Sequence, residues 1–227
     1  MIILIGGSSG ITESLLPLLL TKEKVLATFH KKEIRLENKN LVKVKLDLTS
    51  IKEIVNFSQK IIESDDRLIF INMAAISPDE LVARLPLEAW KNAIDINLNS
   101  TFYMLQMILP KMIREKWGRI ILMSSLAADQ GPIGTSAYSS SKSALNGLNS
   151  VLAHEYGRFN ITSNIIRLGY FNSGLINTFN NQKKKEILSR IPIKKLGTTD
   201  DLFKTINFII ETNYLNGSSI KLDGGYL

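Results

Sequence analysis

The sequence contains no cysteine, and His30 and His154 are its only histidines among 227 residues. The missing cysteine excludes disulfides, thiolate nucleophiles and cysteine-based metal sites, and we expect no metal centre. No apolar run approaches the roughly 18 residues that a membrane-spanning helix needs. Met1–Ile5 lacks a basic region and a cleavage site, so it predicts a buried strand rather than a secretory signal. We expect a cytoplasmic protein without a membrane partner.

The sequence also lacks internal repeats, low-complexity tracts and linkers rich in proline or serine. Its length suits one domain, because domains mostly run about 50 to 250 residues. Lysine and arginine number 28 against 21 aspartate and glutamate, for a net charge of +7. The basic runs at 30–32 and 183–185 carry neither interleaved aromatics nor a nucleic-acid motif. We therefore expect no nucleic-acid partner.

Short apolar runs alternate with longer amphipathic segments, which is typical of βαβ units. Strands are predicted at 2–5, 24–28, 42–46, 68–71, 119–123, 162–167 and 218–222, and helices at 10–21, 51–64, 87–115, 137–157 and 200–211. The pattern predicts an α/β fold: a doubly wound, parallel, seven-stranded Rossmann-like sheet with helices on both faces. Ligands of such sheets bind beyond the carboxyl ends of the strands, so functional residues are expected there.

A glycine-rich turn follows the first predicted strand and opens a helix. Such a turn brings backbone N–H groups and the positive helix N-terminus to a pyrophosphate. The alternative is a tight turn whose glycines serve only backbone geometry. The residues predicted to line a nucleotide here are Gly6, Ser8, Ser9, Gly10 and Ile11.

Two further segments that follow strands bear on the nucleotide. After the second strand, where a carboxylate would bind the ribose of NAD, the sequence has His30 and Lys31, followed by Lys32. A basic cluster there favours the 2′-phosphate of NADP(H) over NAD(H), and a solvated charged loop is the alternative. Asp47 and Leu48 follow the third strand, near the expected adenine, or they belong to the start of the next helix.

The most informative pair is Tyr138 and Lys142, four residues apart and hence neighbours on one helical face. A tyrosine has a pKa near 10, and a nearby ammonium together with a positive nicotinamide would lower it. Tyr138 is then suited to exchange a proton with a carbonyl or an alcohol. Ser125, at the end of the fifth strand, supplies a hydroxyl to hold the substrate oxygen.

Taken in order, these motifs resemble those of the short-chain dehydrogenase/reductase family, over essentially the whole chain. The chain matches three family motifs incompletely. It has Thr12 in place of the last glycine of the glycine turn, Ala75 in place of the glycine of the Asn-Asn-Ala-Gly segment, and Leu168 in place of the proline of the Pro-Gly motif. The step of thirteen residues from Ser125 to Tyr138 is the usual one in this family. Two further segments match motifs of the family: Ile191–Gly197 matches its Ile-Pro motif that ends in glycine, and Asp223–Gly225 matches its terminal Asp-Gly-Gly.

The resemblance implies hydride transfer, without a metal, between NADP(H) and a carbonyl or secondary alcohol. It assigns proton exchange to Tyr138, cofactor ribose binding to Lys142, carbonyl positioning to Ser125 and a relay water to Asn97. Asn72, Ala74, Gly169 and Ser173 are further cofactor contacts by the same resemblance. A noncatalytic nucleotide-binding member of the same fold is the alternative.

The segment 172–196 is expected to form a lid over the substrate. It combines apolar residues with Lys183–Lys185, which would suit an anionic or carrier-linked small molecule. An amphipathic helix with a solvated lysine face is the alternative, and the pattern favours it. By resemblance alone, we expect a homodimer or homotetramer.

Overall fold

The computed structural model describes residues 1–226, with all their side chains except those of Leu175 and Thr178. Seven parallel strands form one sheet in the order β3-β2-β1-β4-β5-β6-β7. The strands are β1 (Ile2–Ile5), β2 (Val25–Phe29), β3 (Leu41–Lys45), β4 (Ile69–Asn72), β5 (Gly118–Ser125), β6 (Ile161–Leu168) and β7 (Ser219–Leu222). The predicted sheet is confirmed, with strand ends shifted by one or two residues.

Helices connect the strands and cover both faces of the sheet. They are α1 (Gly10–Leu19), α2 (Ile51–Ile62), α3 (Leu87–Ile94), α4 (Ser100–Glu115), α5 (Ala127–Gln130), α6 (Ser136–Tyr156), α7 (Asn181–Arg190) and α8 (Thr199–Glu211). Two helix starts are fixed by hydroxyl caps. The Ser50 side chain accepts from the Glu53 N–H, and Thr198 forms a reciprocal capping box with Asp201.

The core consists of two apolar layers, one on each face of the sheet. One layer packs α1 and α8 against the sheet, and the other packs α2, α4 and α6. Strands β1 and β4 are buried along their whole length, as expected for parallel strands covered on both faces. A third, smaller cluster joins Ile176, Ile187 and Ile191 and holds α7 in place.

The predicted single helix over 87–115 is wrong in one respect. A π-helical segment, Asp95–Asn99, separates α3 from α4 and contains the buried Asn97. A π segment inserts an extra residue into a helical turn and so shifts the helical register. The side chains of the segment, including that of Asn97, therefore point in directions that a regular α-helix would not give them. None of the helices among residues 1–226 has both the length and the apolarity to cross a membrane.

Candidate active site

The candidate site lies where the strand order reverses. The sheet runs outward from β1 to β2 on one side and from β1 to β4 on the other, so the loops after β1 and β4 diverge to opposite faces. The gap between them is the ligand crevice of a doubly wound sheet. Gly6 and the segment after Asn72 stand at its two sides.

The turn after β1 needs glycine at Gly6. Its φ is +84°, and a Cβ there would stand 2.8 Å from the Ala74 nitrogen. The Gly6 N–H donates to Thr28 Oγ1 at 3.1 Å, and the Gly7 N–H donates to the Thr28 carbonyl at 2.7 Å. These bonds hold the turn against the end of β2.

The start of α1 keeps the features of an anion site. The N-cap Ser9 makes no side-chain capping bond, because its hydroxyl contacts Thr12 and the Gly6 carbonyl instead. The first N–H groups of α1 therefore lack a side-chain cap, and the helix dipole favours negative charge there. A Cβ on Gly10 would stand 2.7 Å from Gly174 Cα, so the segment after β6 crosses close over this turn.

Ser173 directly precedes Gly174 at that crossing, and its hydroxyl lacks a hydrogen-bond partner among the described residues. Its Oγ is also buried. Buried hydroxyls are normally hydrogen-bonded, so an orphaned one at a crevice indicates a ligand contact. The cofactor contact at Ser173 stays a prediction.

The residues after β2 and β3 lie together. His30 Nε2 is 3.9 Å from Asp47 Oδ2. Hydrogen bonds from the Thr49 N–H and hydroxyl, together with the charge of His30, hold the pKa of Asp47 below its ordinary value. Lys32 is 2.5 Å from Glu13, whereas Lys31 is exposed and forms no ion pair with any described residue. Leu48 is half-buried and packs against the core.

Asn72 and Ala74 form the wall opposite the glycine turn. Asn72 Oδ1 accepts from the Ala74 N–H at 2.9 Å, and Asn72 Nδ2 donates to Thr101 Oγ1 at 2.6 Å. Gly169 is half-buried after β6, and its predicted cofactor contact stays a prediction. A Cβ there would meet Asp223 Cα at 2.7 Å, so this glycine accommodates the loop after β7.

Tyr138, Ser125 and Lys142 come together at the ends of β5 and α6. Ser125 lies close enough to Tyr138 to act on the pKa of its hydroxyl, and Ser125 Oγ accepts from the Ala127 N–H at 3.2 Å. The pKa of Tyr138 is raised by burial and by the negative charge of Asp79, and Ser125 only partly offsets this. The predicted lowering by Lys142 together with a bound nicotinamide stays a prediction, and the Lys142 ammonium makes its hydrogen bond to the Met123 carbonyl.

Lys142 is a fully enclosed cation. Its Nζ donates to the Met123 carbonyl at 2.8 Å and lies 5.9 Å from the centroid of the Tyr138 ring. Only 3% of the residue is exposed, and this burial lowers the pKa of Lys142 to about 8. The Ser124 hydroxyl donates to the Lys142 carbonyl at 3.0 Å, which fastens α6 to β5 at this point.

Asn97 acts as a brace between three elements. It exchanges two bonds of 2.9 Å with the N–H and carbonyl of Ile76, and its Nδ2 donates to Ser141 Oγ at 2.9 Å. Ser141 in turn donates to the Tyr138 carbonyl at 2.7 Å. Asn97 thereby fixes the loop after β4 to the helix that carries Tyr138. Its predicted binding of a relay water stays a prediction.

Sequence reasoning missed several residues of this site. Thr28 has a recognisable signal, a buried hydroxyl at the carboxyl end of a strand. Asp79 and Ser141 have none, because each acts through a contact distant in sequence. Asp79 sits in an irregular loop, and its effect on Tyr138 depends on how that loop folds.

These residues fit a nicotinamide dinucleotide on two observations. The start of α1 has no side-chain cap, and the Ser173 hydroxyl is buried without a partner among the described residues. The uncapped helix start suits a pyrophosphate, and the orphaned hydroxyl suits a polar group such as a carboxamide.

Comparison with known proteins agrees with this geometry. Residues 1–184 match the short chain dehydrogenase family. A 3-oxoacyl-(acyl-carrier-protein) reductase of Buchnera aphidicola subsp. Baizongia pistaciae is 34% identical over 82% of this chain and 77% of its own. A 2-dehydro-3-deoxy-D-gluconate 5-dehydrogenase of Bacillus subtilis is 32% identical over 80% of this chain and 73% of its own.

The chain belongs to the short-chain dehydrogenase/reductase family. It is an NAD(P)-dependent oxidoreductase of the reductase or dehydrogenase type, acting on small carbonyl or alcohol substrates. The alternative expectation of a noncatalytic module is thereby set aside.

Proposed function

We propose that this protein transfers a hydride between NADP(H) and a ketone or secondary alcohol, with Tyr138 as the proton donor and acceptor. The observation that carries the proposal is the cluster of Ser125, Tyr138 and Lys142 at the crevice where the strand order reverses, with Lys142 Nζ 5.9 Å from the centroid of the Tyr138 ring. A positioned acid of this kind contributes about 10²- to 10⁴-fold to a rate.

The glycine turn and the start of α1 would hold the pyrophosphate of the cofactor, and Ser173 its carboxamide. Asp47 and Leu48 would border the adenine, and Asn72 with Ala74 would line the far wall. When bound, NADP(H) supplies or accepts the hydride. The basic His30 and Lys31, which forms no ion pair with residues 1–226, favour the cofactor with a 2′-phosphate.

Tyr138 is protonated at neutral pH, since its pKa is raised. In the reducing direction it donates that proton to the substrate oxygen, which Ser125 holds by a second hydrogen bond. The phenolate left behind is stabilised by the Lys142 ammonium nearby. In the oxidising direction the same phenolate takes the proton of the alcohol, which requires a higher pH.

The proposal also covers the substrate that the protein binds and the assembly that it forms. One domain over 1–227 holds both cofactor and substrate, with 172–196 as the lid. The lid has six basic side chains and one acidic side chain, which suits an anionic or carrier-linked substrate. Among the relatives, the first is named for a carrier-linked 3-oxoacyl group and the second for a sugar acid. We also propose a cytoplasmic homodimer or homotetramer.

The test is NADPH consumption by the purified protein with a panel of ketones that includes 3-oxo thioesters and keto sugar acids. Tyr138→Phe is expected to lower kcat by at least a hundredfold while NADPH binding, read by fluorescence, changes less than twofold. Tyr156→Phe, on the same helix, is the matched control and keeps full activity. A Tyr138→Phe protein that turns over normally contradicts the proposal.

A further inference from the structure

A groove runs beside the catalytic cluster and has no part in the mechanism above. Its volume is about 290 Å³. One wall comes from the loop after β4 and the other from the turn between α5 and α6. No charged side chain lines it, and its residues are Leu81, Val82, Gly131, Pro132, Ile133, Gly134, Thr135, Ser136 and Ser139.

Large apolar side chains on both walls of this groove face solvent. Ile133 is 91% exposed, Val82 77% and Leu81 43%. A single exposed apolar residue needs no explanation, but a contiguous set that lines a concave surface marks a binding site. The exposed area is available to be buried by a ligand.

The two walls are fixed to each other and to the catalytic residues. Glu80 and Thr135 form a parallel bridge, in which the Glu80 N–H donates to the Gly134 carbonyl at 2.9 Å. Asn97 holds the same loop at Ile76. The groove is therefore a preformed feature rather than a gap between loose loops, and such sites bind with little ordering cost.

The groove adjoins the catalytic site along the chain through residues of both its walls. Ser139, which lines it, directly follows Tyr138. Asp79, two residues before Leu81, lies close enough to Tyr138 for its charge to act on the phenol. A substrate whose carbonyl contacts Tyr138 and Ser125 thus has this groove next to its substituent.

We propose that the groove binds an apolar chain attached to the substrate carbonyl, and that Val82 and Ile133 set the preference for chain length. This inference rests on the proposed function and names the class of substrate: ketones, or the matching alcohols, with an unbranched hydrocarbon arm. The volume accommodates about ten atoms the size of a water molecule.

The experiment measures kcat/KM for linear methyl ketones from 2-butanone to 2-octanone with NADPH. In the wild-type protein, kcat/KM is expected to rise about two- to fourfold for each added methylene, because a fully buried CH₂ is worth at most about fourfold. A flat series would overturn the proposal.

The decisive variant is Val82→Ser/Ile133→Ser, which removes apolar surface from both walls. It is expected to lower kcat/KM for 2-octanone at least tenfold and for 2-butanone less than twofold. The matched control is Val42→Ser/Ile51→Ser, also at positions more than half exposed, on β3 and α2. Equal losses on both ketones, or a change in sedimentation showing that a second copy covers the groove, would contradict the proposal.

A failure of the proposed reaction is separable from a failure of the groove. If wild-type protein oxidises no NADPH with any ketone, calorimetry with octan-2-ol still tests the groove. Binding of octan-2-ol that is lost in Val82→Ser/Ile133→Ser and kept in the control supports the groove without the reaction. Binding that is the same in all three proteins overturns it.

Discussion

The Lys142 ammonium is buried against β5 with a single carbonyl partner from the main chain. Burying a charge is costly unless it is compensated, and one neutral acceptor compensates only partly. The lowered pKa of Lys142 records that cost. A lysine held at such a cost beside a phenol is better explained by chemistry than by stability.

Lys142→Met tests this cost through the pH dependence of stability. The pKa of Lys142 is about 8 in the fold against 10.5 ordinarily, so between these values the unfolded chain binds more protons than the native one. Stability from this group therefore rises with pH, and wild type should gain about 3 kcal/mol relative to Lys142→Met across that window. Urea unfolding at pH 7, 8.5 and 10 measures it. A difference between the two proteins that is constant with pH would contradict the assignment.

At the residue scale, the sequence was sufficient to select Ser125, Tyr138 and Lys142, because their spacing follows from one strand and one helix. It was insufficient for the two features that raise the pKa of Tyr138 in the structure. These are its burial and the charge of Asp79, whose position depends on the loop after β4. Local spacing does not contain such information.

Among the elements, the turn after β1 and the loop after β4 depend on each other. The Ala74 backbone lies where a Cβ on Gly6 would stand, and Asn72 fixes Ala74 in that place. The loop after β4 is held at its other end by Asn97 and by the bridge from Glu80 to Thr135. A change in the glycine turn therefore reaches the wall of the crevice.

Gly6→Ala and Gly147→Ala form a matched pair for this coupling. Gly6→Ala requires a positive φ and a shift of the Ala74 backbone, so it should cost roughly 1–3 kcal/mol and weaken NADPH binding. Gly147 is exposed on α6 with open space where a Cβ would stand, and Gly147→Ala should add about 0.5–1 kcal/mol. Urea unfolding compares them, and a stabilising Gly6→Ala would refute this view of the turn.

The elements themselves were largely predictable, because buried parallel strands are continuous apolar runs and the helices are amphipathic. The π segment Asp95–Asn99 was not. Asn97 and its neighbours continue a helical pattern, and the extra residue in the turn is stabilised by bonds to Ile76 and Ser141 that join distant parts of the chain. The short α5 lacks the length for any periodic signal.

For the whole molecule, cofactor binding and folding are linked. A ligand that binds only the native state stabilises it by about 2.7 kcal/mol at a hundred times its Kd, which raises Tm roughly 5–10 °C for a chain of this size. NADPH should therefore raise Tm more than NADH at equal concentration. A larger shift with NADH would reverse the cofactor assignment.

The variant Lys31→Ala tests whether Lys31 causes the proposed preference for NADPH, using the same measurement of Tm. We expect the Tm shift with NADPH to fall to the size of the shift with NADH, because the change removes a cation, unpaired among the described residues, from the proposed site of the 2′-phosphate. Lys22→Ala, at an exposed lysine after α1, is the control and keeps the difference. If both variants keep it, the 2′-phosphate is bound elsewhere.

The proposed reaction depends on Ser125 and Tyr138 acting together on one substrate oxygen. The most direct test is a double-mutant cycle in kcat/KM with Ser125→Ala, Tyr138→Phe and the combination. Residues that act as a unit are strongly non-additive. We predict that each single change costs at least a hundredfold and that the double variant is no worse than Tyr138→Phe alone. A Tyr138→Phe protein within tenfold of wild type, or fully additive losses, would contradict the account.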